Sequence, residues 1–205
     1  MLISGTKLIN MPVVSLQTGS AIGWIKKAYM NSNDLKIAVL ELQGPMIGKS
    51  QERFLDVKSI REYSEYGFIV DSAEELFDVV DVDKLRRIVD LDYEIIGLKV
   101  ISRKRSHLGK IEDYTVTSDD LMLQQLVVKR PSWKSFLDSE LLIPRKEIVE
   151  VNNKAIIVKD DEKTIRAKAE EDFVPNFVNP FRKNPSPAES DFAPAHSQNP
   201  DEEDN

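Results

Sequence analysis

The chain has 205 residues, 41% hydrophobic and 31% charged, with a formal net charge of −7 and no cysteine. That length allows one or two small domains burying roughly 60 to 70% of their unfolded surface. The lack of cysteine excludes disulfides, thiolate metal sites and cysteine nucleophiles.

The start, Met1 to Lys7, lacks the basic and then apolar pattern of a secretory signal. The uncharged stretch from Leu8 to Ile25 contains Asn10, Ser15, Gln17, Thr18 and Ser20, too polar for a spanning helix. A cytoplasmic protein is expected, with two strands around a turn in this stretch. Leu35, Ile37 and Val39 alternate with Lys36 and Ala38, the pattern of a half-buried strand. Gly44 to Gly48 lacks the lysine and hydroxyl of a phosphate loop. Ser72 and Glu75 have capping-box spacing, which predicts a short helix with Leu76, Val79 and Val80 on its apolar side.

These elements then recur. Ile22-Gly23-Trp24-Ile25 returns 86 residues later as Leu108-Gly109-Lys110-Ile111, and Asn33-Asp34-Leu35 as Asp119-Asp120-Leu121. Beyond Pro45 and its match Pro131 the spacing widens to 88, so Leu55 to Ile60 meets Ile143 to Ile148, and Phe68-Ile69-Val70 meets Ile156-Ile157-Val158. One sustained period indicates a duplicated unit. A glycine inside a strand pattern marks a bulge or close backbone approach, so Gly23 and Gly109 are expected to be structural. Closing such strands into barrels would remove exposed edges.

The chain changes after Val158. Thr164 to Ala169 has good helix formers but almost no apolar face, and six of the ten prolines follow Glu171. From Glu170 onward nine acidic residues face only Arg182 and Lys183, so this tail carries the whole net charge. Such composition predicts disorder. Phe173, Phe177 and Phe181 interrupt it at four-residue intervals, either as a strap packing back or as a linear motif for a protein partner. Residues 1–83 hold 12 acids and 8 bases, whereas residues 84–169 hold 14 acids and 18 bases. The second repeat is therefore the expected seat of an anionic partner.

Ile96-Gly97-Leu98-Lys99-Val100, Leu108 to Asp113 and Leu142 to Ile148 resemble the opening, glycine-bearing and closing strands of the PRC-barrel domain, a family that includes the photosynthetic reaction centre H subunit and ribosome maturation factor RimM. The first repeat departs from the pattern, with Met11 in the place of Gly97, Trp24 in that of Lys110 and Asp56 in that of Pro144. The resemblance implies an all-β fold of two tandem small barrels and a non-enzymatic docking module. The expected divisions are a first repeat over 1–71, a linker with a short helix over 72–92, a second repeat over 93–160, and an exposed helix and acidic tail over 161–205. Gly97 joins the two glycines above as structural.

No catalytic residue, metal site or cofactor is expected, because His107 and His196 lack neighbours at ligand spacing. Two functional readings remain. One is an adaptor that binds proteins through its barrel surfaces and Phe173, Phe177 and Phe181. The other is an RNA- or ribosome-associated factor using Arg103, Lys104, Arg105, Lys129, Arg130, Trp133 and Lys134, cations beside an aromatic ring that could contact phosphates and stack on a base. Ordinary solvated turns would look the same in sequence.

Overall fold

A computed structural model describes residues 1–44, 47, 52–64, 66–131, 139–159 and 165. Sixteen regular elements follow in chain order: β1 (Leu2–Ser4), α1 (Gly5–Leu8), β2 (Pro12–Ser15), β3 (Ala21–Asn31), β4 (Lys36–Gln43), β5 (Arg53–Asp56), β6 (Glu62–Ser64), β7 (Gly67–Val70), β8 (Leu76–Phe77), α2 (Asp83–Leu91), β9 (Lys99–Ser102), β10 (His107–Thr117), β11 (Leu123–Lys129), β12 (Glu140–Pro144), β13 (Ile148–Val151) and β14 (Ala155–Val158). All lie in one compact unit, Met1–Asp172. Among the described residues no helix is long and apolar enough to cross a membrane.

The fold is all-β, built from two seven-stranded sheets that repeat one topology. The first runs β6-β7-β2-β3-β4-β5-β8; the second runs β13-β14-β9-β10-β11-β12, with β1 added against β10. Substituting each strand of one repeat by its counterpart converts the first six-strand order into the second, including the parallel pairs of β2 with β7 and β9 with β14. Register confirms the spacing: Leu40 faces Leu55, and 86 and 88 residues on, Leu126 faces Ile143. The two extra residues therefore fall between β11 and β12. Neither strand order closes on itself among the described residues.

The repeats meet about a pseudo-two-fold axis. Ile37 N–H donates to Leu121 O at 3.1 Å, and the counterpart Leu123 N–H donates to Leu35 O at 3.0 Å. Reciprocal contacts of this kind characterise an isologous interface. Leu35 and Leu121 both turn left-handed, with φ of 57° and 48°. Leucine rarely adopts that region, but both side chains are buried in the core. The turns leading to them hold their shape through Asp34 and Asp120, whose carboxylates accept from Lys36 N–H and Met122 N–H at 3.0 and 3.2 Å. Lys36 reaches Asp120 across the axis at 2.7 Å.

Each repeat also lends its leading arm to the other. β1, ahead of the first repeat, pairs with β10 of the second. There Asp113 accepts from Thr6 N–H at 3.1 Å and from the hydroxyls of Thr6 and Ser4. Ahead of the second repeat, Asp92 binds Lys27 of β3 at 2.6 Å. Thr6 and Asp92 are counterparts, as are Lys27 and Asp113, so the same anchor is built twice from different chemistry. Both repeats and both arms contribute to one continuous core, with Ile3, Val13, Leu40 and Phe68 joined to Ile95, Leu126, Ile143 and Ile156.

Two local expectations are corrected. Ser72 does cap, accepting from Glu74 N–H at 3.2 Å, but only the single turn Ala73–Glu75 follows. The chain then extends as β8 and the helix begins at Asp83, because Phe77 gains more by packing on Phe54, ring centroids 6.3 Å apart, than by continuing a turn. The alternation of Ile37 and Val39 also fails. A register shift opposite Tyr29 and Met30 sends Ile37 into the main core, and Val39 to the outer face, where Tyr29, Phe54 and Leu85 form a second cluster.

Candidate anion-binding face of the second sheet

Three lysines lie side by side across the second sheet. Lys110 of β10 stands directly opposite Lys129 of β11 and Lys99 of β9. Directly opposed residues share one face about 5 Å apart, and all three side chains are exposed. The same row in the first repeat is Pro12, Trp24 and Gln43, uncharged throughout. Lys129 bonds Glu112 at 2.9 Å, and the carboxylate makes its ammonium hold the proton more tightly than usual. Among the described residues Lys99 and Lys110 make no ion pair. Like charges directly opposed destabilise a sheet by roughly 0.2 to 1 kcal/mol.

Gly109 creates the row's geometry. A Cβ at this position would stand 2.2 Å from Lys129 O, so only glycine lets β10 and β11 approach here. The ladder between β9 and β10 shifts register at the same place, a bulge that brings Lys110 opposite Lys99. Gly23 sits likewise beneath Gln43 O, where a Cβ would be 3.0 Å away. Gly97 has φ of 85° and open space around it, a conformational rather than a packing requirement.

The face continues past Lys99. Ile101 and Arg103 follow it on the outward side of β9, and Ile157 of β14 lies opposite Ile101. With Val149 they floor a shallow depression of about 630 Å³ rimmed by Arg103, Arg105 and Lys154 and by one acid, Glu150. Arg103, Lys104 and Arg105 form the turn after β9, held by Arg105 N–H to Ser102 O at 2.8 Å. Arg130 follows the end of β11, its N–H bonded to Ser139 O at 2.9 Å. The hairpin tip and Arg130 thus lie on the same side of the lysine row, each further along its strand than Lys99 and Lys129. Trp133, Lys134, Phe173, Phe177 and Phe181 lie outside the described residues, as does the acidic tail.

Sequence reading missed Lys99, Lys110 and Lys154 as members of this face. Each is an isolated lysine along the chain, and their grouping exists only across strands. The available signal was the replacement of Trp24 by Lys110 at the 86-residue spacing.

A second concavity, about 400 Å³, lies near the pseudo-two-fold axis and is lined mainly by apolar groups, including Ile9, Met30, Ile95 and Ile96. Burial pushes the phenols of Tyr93 and Tyr114 at its wall up to about 12. Its one lysine among the described residues, Lys27, is held by Asp92 and Glu94.

Residues 88–165 match the family model of the PRC-barrel domain. This segment is similar to a PRC-barrel domain. It contains all of β9 to β14 and so the whole lysine row. The first repeat shares its strand order without falling within the matched residues. Among solved structures, that of RimM from Pseudomonas aeruginosa, named as a 16S ribosomal RNA processing protein, is 14% identical. The match covers 80% of this chain and 99% of that one, with a TM-score of 0.28. No curated protein matches the chain.

Proposed function

We propose that this protein is a non-enzymatic adaptor whose PRC-barrel domain holds single-stranded RNA on the outward face of the second sheet. The observation that carries the reading is the row Lys99, Lys110 and Lys129, two of whose members have no ion-pair partner among the described residues. Adjacent unpaired ammoniums repel, and a polyanion relieves that repulsion while releasing its own counterions. The strip of Ile101, Ile157 and Val149 beside the row suits the flat apolar faces of bases, and Arg103, Arg105 and Lys154 extend the positive field around it.

The test is a salt titration of binding to a fluorescent single-stranded RNA 12-mer. Three phosphate contacts give a slope of log K against log salt of about −2 for single strands. The Lys99→Ala/Lys110→Ala variant should lose roughly 1 to 1.5 of that slope. Both side chains are exposed, so its stability should stay within about 0.5 kcal/mol of the parent. Lys58→Ala, on the first repeat, should leave the slope unchanged. An unchanged slope in the double variant would refute the reading.

A further inference from the structure

The duplication supplies its own comparison for every surface, and the sharpest difference lies along β5 and β12. In the first repeat the outer edge of β5 is taken by β8, with Phe54 opposite Phe77 and Leu55 opposite Leu76. Register makes Leu142 and Ile143 the counterparts of Phe54 and Leu55, since Glu41 faces Phe54 and its counterpart Val127 faces Leu142. Yet β12 ends its sheet among the described residues. Phe54 is 1% exposed beneath β8 and α2, whereas Leu142 is 45% exposed. The groups around it have changed accordingly, Gln125 standing where Val39 does and Thr115 where Tyr29 does.

We infer that the edge of β12 is a docking site for an extended segment of a protein partner, which pairs with Leu142 and Ile143 as β8 pairs with Phe54 and Leu55. Unpaired strand edges are templates for strand addition, main-chain bonds supplying affinity and alternate side chains specificity. The occupant's chemistry follows from β8: an apolar residue opposite Ile143, then a large or aromatic one over Leu142. Because Gln125 and Thr115 replace Val39 and Tyr29, the face can bury one large side chain but not a whole helix such as α2. The contact is therefore small and reversible, of the kind used in transient assemblies. It is independent of the lysine row.

A fluorescently labelled peptide with the sequence of residues 72–78, Ser-Ala-Glu-Glu-Leu-Phe-Asp, is the probe, titrated into the full chain with amide chemical shifts recorded alongside. Saturable binding is expected, with shifts centred on Leu141, Leu142 and Ile143. Leu142→Lys should weaken it about tenfold or more. Leu16→Lys, at a still more exposed apolar site on the first repeat, should not. The inference is overturned if the peptide does not saturate, or if Leu142→Lys binds like the parent. It is equally overturned if the amide of Leu142, which faces away from β11, is already protected from exchange in the free protein, which would mean the chain occupies its own edge.

Discussion

At the scale of single residues, the missing side chain of Gly109 does as much as any present one. A methyl group there would stand 2.2 Å from Lys129 O, a backbone atom that cannot turn aside, whereas at Gly23 the matching distance is 3.0 Å. Gly109→Ala should therefore destabilise the protein by about 1 to 3 kcal/mol and Gly23→Ala by distinctly less. Urea denaturation midpoints check the order, and equal losses would contradict it. The sequence marks both glycines through their recurrence but cannot rank them, because the difference lies in how far β11 leans over β10. The left-handed turns at Leu35 and Leu121 were hidden for a related reason: leucine is an unlikely choice locally and is held there by burial in a core built from both repeats.

Among elements, the three residues of β1 have the least obvious role. They stand before the first repeat and complete the second sheet, with Ile3 opposite Val116 and buried in the common core. Ile3→Ala should cost about 2 to 4 kcal/mol. Its local signature should be faster amide exchange at Ser118, whose N–H donates to Met1 O at 2.9 Å, and at Val116 on the same side of β10, with β2 and β7 losing protection only through global unfolding. Strands such as β2, β3, β9 and β10 could be read from alternation and turn residues because those signals are local. The partner of β1 could not, since pairing over so long a separation leaves no periodic trace. The lysine row escaped notice in the same way, while Arg103 to Arg105 and Lys129-Arg130 stood out only because they are contiguous.

For the molecule as a whole, one continuous core implies one cooperative unit. Leu35→Ala removes a buried side chain at the axis and should cost about 2 to 5 kcal/mol. Amides in β7 and β14, on opposite repeats, should lose protection together. Separate transitions for the two sheets would show that the axis contacts do not couple them. Duplication was legible from spacing alone, and the second repeat's excess of cations pointed to the correct sheet for an exposed cationic row. How the copies face each other was not legible, since it rests on bonds between residues that occupy the same place in each repeat. The exchanged arms also order events in time. Leu2 leaves the ribosome 115 residues before its partner Thr117. At about 5 to 20 residues per second, β1 waits roughly 6 to 23 seconds for a strand to join, so a stretch of chain made early is late to find its place.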